Sequence, residues 1–166
     1  MVSRDDFRAG MGAWATGVTI VTARDGDHVH GMTVSDFSGV SLSPPLVLVC
    51  ADKTSLTHGV IAAGGCFAVN VLAADQENLS NLFASKADEF RRFEGLETRV
   101  GTTGAPLLAG AVATFDCSLV STHEAGDHDI YVGRVEELSI EDREPLVYYR
   151  GRYDGLASAL SGSGAE

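Results

Sequence analysis

Apolar and polar residues alternate in several short runs of this chain, which is typical of β-strands with one buried face. The segments VTIVTAR (18–24) and HVHGMTVSDF (28–37) alternate in this way on either side of a turn at Asp25 to Asp27. The run PPLVLVCA (44–51) is continuously apolar, so we expect a strand buried on both faces. Further strands are predicted in CFAVNVL (66–72), AVATFDCSLVSTHEA (111–125), IYVGRVEELSI (130–140) and PLVYYRG (145–151).

Between these runs, apolar residues recur at helical spacing in three places. Ser3 is the predicted N-cap of a first helix that extends to Ala15 and carries Phe7, Met11 and Trp14 on one side. The second segment, DKTSLTHGVIAAGG (52–65), has Thr54 or Ser55 as its N-cap and two glycines as its stop. The third, ADQENLSNLFASKADEFRRF (74–93), predicts one or two amphipathic helices with Leu79, Leu82 and Phe83 pointing inward. Six or seven strands with short turns and two to four helices indicate a mainly antiparallel α+β fold of barrel-like form.

One stretch, GMTVSDFSGVSLSPP (31–45), combines two patterns. Met32, Val34, Val40 and Leu42 form an apolar face that we expect to be buried, whereas the positions between them are small or hydroxylated. Asp36 to Ser38 interrupts the alternation and predicts a bend. A strand face reduced to hydroxyls and glycine leaves room for a flat ligand to lie along the backbone.

Length and composition narrow the classes of function. The 166 residues suit one domain, which we place at residues 1–158, with 159–166 as a disordered tail. A net charge of −11 disfavours nucleic acid and anionic membranes as partners. No apolar run reaches the roughly 20 residues of a membrane helix, and the charged N-terminus does not resemble a signal peptide, so we expect a cytoplasmic protein. The 3 cysteines lie among apolar residues and are expected to be buried free thiols.

The predicted start of the second helix is a candidate anion site. Free backbone N–H groups and the positive end of the helix dipole meet there, and Lys53, Thr54, Ser55 and Thr57 add a charge and hydroxyls. A simple helix cap beside a solvated lysine is the alternative. Lys86, the second lysine of the chain, follows the third helical segment.

Two later motifs could also bind a ligand. His128 follows a Gly-Asp turn at the start of a strand, where its near-neutral pKa would be usable, although a lone rim histidine is more often a bystander. Tyr148, Tyr149 and Arg150 suit stacking on a planar ring or holding a phosphate, but could equally belong to a closing strand.

Other chemistries are disfavoured. A metal site made by His28, His30, His123 and His128 lacks cysteine or carboxylate ligands at the usual spacing, so we predict no metal. The chain has no G-x-G-x-x-G after a strand and no G-x-S-x-G elbow, which disfavours a Rossmann nucleotide site and a serine hydrolase.

Seven ordered blocks resemble the short-chain flavin reductase family, the reductase components of two-component flavin-dependent monooxygenases. The resemblance covers roughly residues 7 to 155. The blocks are TGVTIVTA, GMTVSDFSGVSLSPPLVLVC, SLT, FAVNVL, LSNLFA, GDHDIYVGRV and PLVYYRG. It implies an FMN-binding split β-barrel, usually a homodimer, with the flavin in a groove at or near the subunit interface.

The resemblance also implies roles for individual residues. It places Thr33, Val34, Ser35 and Asp36 along the isoalloxazine ring. It places Ala51, Asp52, Lys53, Ser55 and Thr57 around the ribityl phosphate. It places Phe83, Ala84 and Lys86 over the phosphate or the adenosine side. His128 matches the histidine beside the nicotinamide, and Tyr148, Tyr149, Arg150 and Gly151 match a segment that holds the pyridine nucleotide. The chain differs from the more common family pattern at Asp36 and Gly39, where Ser or Asn and a larger residue are frequent.

The implied reaction is hydride transfer from NADH to FAD or FMN, with diffusible reduced flavin passing to a separate monooxygenase. Such chemistry belongs to the cofactors and needs stacked rings rather than a strong acid–base pair. FAD is slightly favoured. NADH is favoured over NADPH because no compact Arg/Lys cluster is available for a 2′-phosphate. The alternatives are a non-catalytic flavin- or haem-binding split-barrel protein and an oxidase acting on a phosphorylated vitamin.

Overall fold

The computed structural model describes residues 1–87 and 89–156. Its helices are α1 (Arg4–Gly12), α2 (Leu56–Gly64) and α3 (Glu77–Ala84), followed by a 3₁₀ turn at Glu89–Arg91. The Ser3 hydroxyl accepts the Asp6 N–H at 3.1 Å, which confirms the predicted cap of α1. Ser55, rather than Thr54, caps α2 by accepting the His58 N–H at 3.1 Å, and Gly65 ends this helix with a left-handed φ of 66°. Within the described residues, no helix is both long and apolar enough to cross a membrane.

The main sheet has seven strands, and every pairing within it is antiparallel. The strands are β1 (Thr16–Gly17), β2 (Thr19–Asp25), β3 (His28–Val34), β4 (Phe37–Leu42), β5 (Pro45–Asp52), β6 (Cys66–Val71), β7 (Thr98–Val100), β8 (Pro106–Leu108), β9 (Ala113–Ala125), β10 (His128–Ile140), β11 (Val147–Tyr149) and β12 (Arg152–Asp154). The strand order of the main sheet is β3-β2-β6-β9-β10-β5-β4, and two smaller sheets have the orders β1-β11-β12 and β7-β8.

The chain closes the sheet on itself where β3 meets β4. These two strands occupy opposite edges of the seven-stranded order, yet only Ser35 and Asp36 separate them. Two residues cannot span the width of a flat seven-stranded sheet, because neighbouring strands lie about 4.8 Å apart. The sheet therefore curls until its edges approach, and the Cys50 N–H donates to the Asp36 carbonyl at 3.2 Å beside the junction. The predicted mainly antiparallel α+β split-barrel fold is confirmed.

The barrel interior is filled by side chains of the central strands and by α2. Tyr131, Phe67 and Ile61 are fully buried within one cluster. A second cluster, which contains Phe83 and Leu146, lies under α3 and the short β1-β11-β12 sheet. The core therefore ties α3 and this small sheet to the main barrel.

Three predictions about burial are wrong. In β5 only alternate residues are buried, so Leu48 and Cys50 remain half-buried on the outer face. Val40 and Leu42 in β4 are 48% and 97% exposed, because this edge strand covers the core only at its start. Leu82, predicted to point inward with Leu79 and Phe83, is exposed on α3. The predicted tail at 159–166 lies outside the described residues.

Candidate functional site

One open cleft in the described part of the chain has a volume of about 1590 Å³. This exceeds the roughly 300–1,000 Å³ of an ordinary small-molecule pocket and suits two cofactor-sized ligands lying together. Four parts of the chain surround it: helix α1, the β3–β4 junction, the paired strands β5 and β10, and the turn between β11 and β12. The residues that line it include Phe7, Met11, Trp14, Ser35, Asp36, Leu48, Cys50, Asp127, His128, Ile130, Tyr148, Arg150 and Gly151.

The barrel wall of the cleft consists of the outer faces of β5 and β10. Ile130 pairs with Cys50 across the two strands, and Leu48 lies two residues before Cys50 on the same face. These half-buried apolar side chains offer a surface on which a planar ring can lie. Burial, with a smaller effect of the Asp36 carboxylate, raises the pKa of the Cys50 thiol, so this thiol is protonated at neutral pH.

The β3–β4 junction provides the polar edge of the same wall. Ser35 and Asp36 are exposed and line the cleft where the two sheet edges meet. The interruption that the sequence places at Asp36 to Ser38 is thus the point at which the chain leaves one edge and joins the other. A ring that lies on Cys50 and Ile130 would present its rim to this junction.

His128 occupies the opposite end of the wall, at the first residue of β10. Its Nδ1 lies 2.8 Å from the Asp127 carboxylate, and its side chain is 40% exposed. The hydrogen bond and charge of His128 hold the pKa of Asp127 below its ordinary value. With Nδ1 engaged by Asp127, Nε2 is the ring nitrogen that can meet a ligand.

The β11–β12 hairpin forms the third side. Arg150 and Gly151 are its two turn residues and have φ values of 49° and 78°. Two consecutive left-handed residues are what a type I′ turn requires. The turn brings Tyr148, Arg150 and Gly151 to the cleft, whereas Tyr149 lies outside its lining and has the Arg150 guanidinium 5.2 Å from its ring centre.

The start of α2 lies next to His128 rather than in the cleft lining. His128 pairs with Asp52 across β10 and β5, and the Lys53 N–H donates to the Asp127 carbonyl at 3.1 Å. Asp52 accepts the Thr54 N–H at 2.7 Å, and this bond, with weaker effects of His128 and Lys86, lowers the pKa of its carboxyl. The predicted phosphate residues Asp52, Lys53 and Ser55 thus lie beside the His128 end of the cleft, outside its lining, and Lys86 lies farther away.

The remaining predicted contacts do not line the cleft. Thr57 is fully buried, with its hydroxyl 2.7 Å from His30 Nδ1, and Phe83 is buried in the second core cluster. Thr33 donates its hydroxyl to the Ser80 carbonyl at 2.6 Å, which ties β3 to α3. Val34 and Ala51 are buried, and Ala84 is exposed at the end of α3. The roles implied for these residues stay predictions.

Behind the cleft wall, a charged cluster supports β10 from its other face. The Asp129 carboxylate lies 2.6 Å from His58 Nε2 and 3.4 Å from Lys53 Nζ. The hydrogen bond from His58, with the nearby Lys53, lowers the pKa of Asp129. Tyr131, two residues later, donates its hydroxyl to the His58 carbonyl at 3.2 Å. The cluster links α2 to the strand that begins with His128.

Comparison with known proteins identifies the family of this arrangement. The profile of the "Flavin reductase like domain" family matches residues 11–157, which is most of the chain. The chain belongs to the flavin reductase family. It is 44% identical to a flavin reductase of Pseudomonas putida over 92% of this chain and 89% of that protein. It is 42% identical to the reductase subunit HsaB of a flavin-dependent monooxygenase from Rhodococcus jostii, over 90% of this chain and 76% of the relative.

A solved structure of another flavin reductase has the same fold as this chain. The NADH:FAD oxidoreductase SgcE6 of Streptomyces globisporus C-1027, in complex with NAD and FAD fragments, superimposes with a TM-score of 0.89. The two proteins are 38% identical, and the match covers 95% of each chain. The flavin reductase fold predicted from the sequence blocks is therefore confirmed.

Sequence reasoning missed two parts of this flavin reductase's cleft. The continuous apolar run predicts Leu48 and Cys50 in the core, whereas in β5 they alternate with the buried Val47 and Val49 and face the cleft. The sequence predicts helix α1 with Phe7, Met11 and Trp14 on one side, but does not indicate that this side faces a cleft. Among the described residues, no group of three His, Cys, Asp or Glu side chains is placed to hold a metal ion.

Proposed function

We propose that this chain is an NADH-dependent flavin reductase that reduces FAD or FMN in the cleft and supplies reduced flavin to a separate monooxygenase. The observation that carries the proposal is the convergence of Ser35 and Asp36, His128 and the Arg150 turn on one cleft of a flavin reductase fold. The names of its relatives, among them an NADH-dependent flavin reductase of Rhodococcus, support the donor and the acceptor.

The cleft fits a flavin beside a nicotinamide. Its volume accommodates both, one wall is apolar and flat, and exposed polar groups lie at both ends of that wall. When bound, the flavin supplies the redox chemistry by accepting a hydride from the reduced nicotinamide. The protein has to hold the two rings stacked and keep bulk water from the reacting faces.

The residues of the chain have separate tasks in this arrangement. The Ser35 hydroxyl and the backbone of the junction hold the polar rim of the ring, while Cys50 and Ile130 support its face and exclude water. His128, oriented by Asp127, accepts a hydrogen bond at Nε2 from the nicotinamide carboxamide. The rim made by Lys53, Ser55 and the N-terminus of α2 receives the ribityl phosphate, because free N–H groups and the helix dipole favour an anion there.

The direct test mixes purified protein with NADH and excess FAD or FMN and follows the nicotinamide absorbance. Loss of absorbance is expected with either flavin, and no loss under both conditions would leave a non-catalytic binding protein instead. His128→Ala is expected to raise the KM for NADH while flavin binding persists. Unchanged NADH kinetics in this variant would remove His128 from the site.

A homodimer is part of the proposal. Val40 and Leu42 expose apolar side chains on the edge strand β4, and Leu138 and Ile140 are 50% and 74% exposed at the end of β10. Large exposed apolar groups of this kind are typical of subunit contacts. Light scattering after size-exclusion chromatography should give twice the 17.4 kDa chain mass, and Leu42→Glu should lower that mass.

Transfer of reduced flavin to the oxygenase is tested with a dialysis membrane between the two proteins. Product formed by a flavin-dependent monooxygenase across the membrane supports a diffusible carrier, and product formed only in the mixed solution argues for direct transfer. The cytoplasm, where NADH is abundant, is the proposed location.

A further inference from the structure

Helix α1 covers one side of the cleft without entering the core. It has no buried residue. Phe7 on the helix and Trp14, two residues after its end, are 64% and 70% exposed although both line the cleft. The helix is held at its C-terminal end, where the Gly12 carbonyl accepts the Arg150 N–H at 3.0 Å and β1 pairs with β11. An apolar helix face that lies against an open cleft and packs on little else is available to a ligand in that cleft.

The same helix carries positive charge into the cleft. Arg4 and Arg8 lie one turn apart and both line it, as does Arg150 from the hairpin, whereas the acidic Asp5 and Asp6 do not. No carboxylate of the described residues comes within 4.0 Å of these three guanidinium groups. Asp36 and Asp127 also line the cleft, at the β3–β4 junction and beside His128, so its positive charge is concentrated on the α1 side. In a chain of net charge −11, three arginines on that side, none of them paired with a carboxylate in the described part of the chain, favour an anion there.

Arg150 is also in an unfavourable backbone conformation. Its φ of 49° is left-handed, and the first position of a type I′ turn is normally occupied by Asn, Asp or Gly. Side chains held in such strain are concentrated at ligand sites. The turn would form more readily with Asn, so the arginine side chain has a use other than folding.

We infer that Arg4, Arg8 and Arg150 form a subsite for the pyrophosphate of a dinucleotide, with the Phe7 and Trp14 side of α1 against its adenosine. The inference rests on the proposed function and names which part of the ligand this helix recognises. NADH and FAD both contain a pyrophosphate joined to adenosine, whereas reduced nicotinamide mononucleotide and FMN lack it. Guanidinium groups suit this anion because they donate paired N–H groups to phosphate oxygens.

The test compares four substrate pairs in steady-state kinetics: NADH or reduced nicotinamide mononucleotide as donor, with FAD or FMN as acceptor. Arg4→Gln/Arg8→Gln is measured beside Arg91→Gln/Arg134→Gln, which removes the same charge from two exposed arginines outside the cleft. Activity of the wild type with NADH is measured first, and its absence would refute the proposed function before the subsite is tested.

The inference predicts that the cleft double variant raises the KM for a dinucleotide roughly five- to twentyfold. If the KM rises for NADH but not for reduced nicotinamide mononucleotide, the subsite binds the donor. If the KM rises for FAD but not for FMN, the subsite binds the flavin. An equal effect on mononucleotides and dinucleotides, or the same effect in the control variant, would overturn the inference, because general attraction of anions would then suffice. No effect on any pair would overturn it as well.

Arg150→Asn separates binding from folding. Because Asn adopts the left-handed conformation easily, this variant is expected to have a Tm equal to or above that of the wild type while its KM for the same dinucleotide rises. A higher Tm with unchanged kinetics for every substrate pair would exclude Arg150 from the subsite.

Discussion

Gly133 is the position in β10 at which the packing of the barrel can be tested most sharply. A Cβ placed there would lie 2.5 Å from Phe67 Cζ and 2.9 Å from the Cβ of Cys117, whereas carbon atoms in contact normally lie about 3.5–4.0 Å apart. Phe67 is fully buried and Cys117 belongs to the neighbouring strand, so the ring must move by at least about 1 Å and the cysteine by roughly half an ångström or more. Gly17 in β1 is the matched control, because its added Cβ would have no neighbour within 4 Å.

The expected cost of Gly133→Ala follows from this overlap. Overpacking a close-packed core costs about 1–3 kcal/mol of unfolding free energy. The gain from the lower entropy of the unfolded chain is shared with Gly17→Ala and cancels in the comparison. For a chain of this size, the Tm should fall by roughly 2–12 °C relative to the control.

Urea and thermal unfolding measure this difference, and a double-mutant cycle tests its cause. Phe67→Leu alone should destabilise the protein, but in the Gly133→Ala background it should cost less, because the ring that clashes is removed. Equal stability of Gly133→Ala and Gly17→Ala, or strictly additive effects in the cycle, would refute the described packing of β10 against β6 and β9.

Three further changes test the surroundings of the cleft. Ser55→Ala removes the cap of α2 and should lower the unfolding free energy by about 0.5–2 kcal/mol in urea unfolding, whereas an unchanged value would mean that the cap contributes nothing. Cys50 should be the thiol that iodoacetamide alkylates in the native protein, and its raised pKa should make the alkylation slow. Saturating flavin should slow the alkylation further. An alkylation rate that flavin leaves unchanged would mean that the ring binds elsewhere. Asp129→Asn should destabilise the protein at pH 7, because the pKa of Asp129 is lowered in the folded chain. The ionised carboxylate therefore stabilises the native state above the ordinary Asp pKa of about 3.9, and this stabilisation is lost as the pH falls through the folded pKa. The difference from wild type should therefore shrink in acid, and a gap that is constant with pH would contradict the role of the charge.

Much of the fold could be predicted because the relevant forces are local. The Ser3 cap and the Gly65 stop depend on neighbours a few residues away, and both appear at or beside the predicted positions. The bend at Asp36 could likewise be read from the broken alternation. Which strands lie side by side depends on distant parts of the chain, so the meeting of the β3 and β4 edges had no signal in the pattern.

The errors in the site have the same origin. An apolar run such as that around Leu48 is compatible with a strand buried on two faces and with a strand that has one face in a cleft, and only the tertiary structure distinguishes these cases. The apolar positions Phe7 and Trp14 are likewise compatible with a core helix and with a helix that faces a cleft. The sequence indicates His128 from its Gly-Asp turn and Arg150 from its aromatic neighbours, and the family resemblance implies their roles. Their convergence on one cleft depends on the fold.

The proposed function requires that NADH and flavin meet in one cleft. A crystal structure of the protein with FAD or FMN and NAD⁺ tests this requirement most directly. We expect the isoalloxazine ring on Cys50 and Ile130, with its polar rim at Ser35 and Asp36 and the nicotinamide beside His128. Flavin bound on another surface, with this cleft open to solvent, would contradict it.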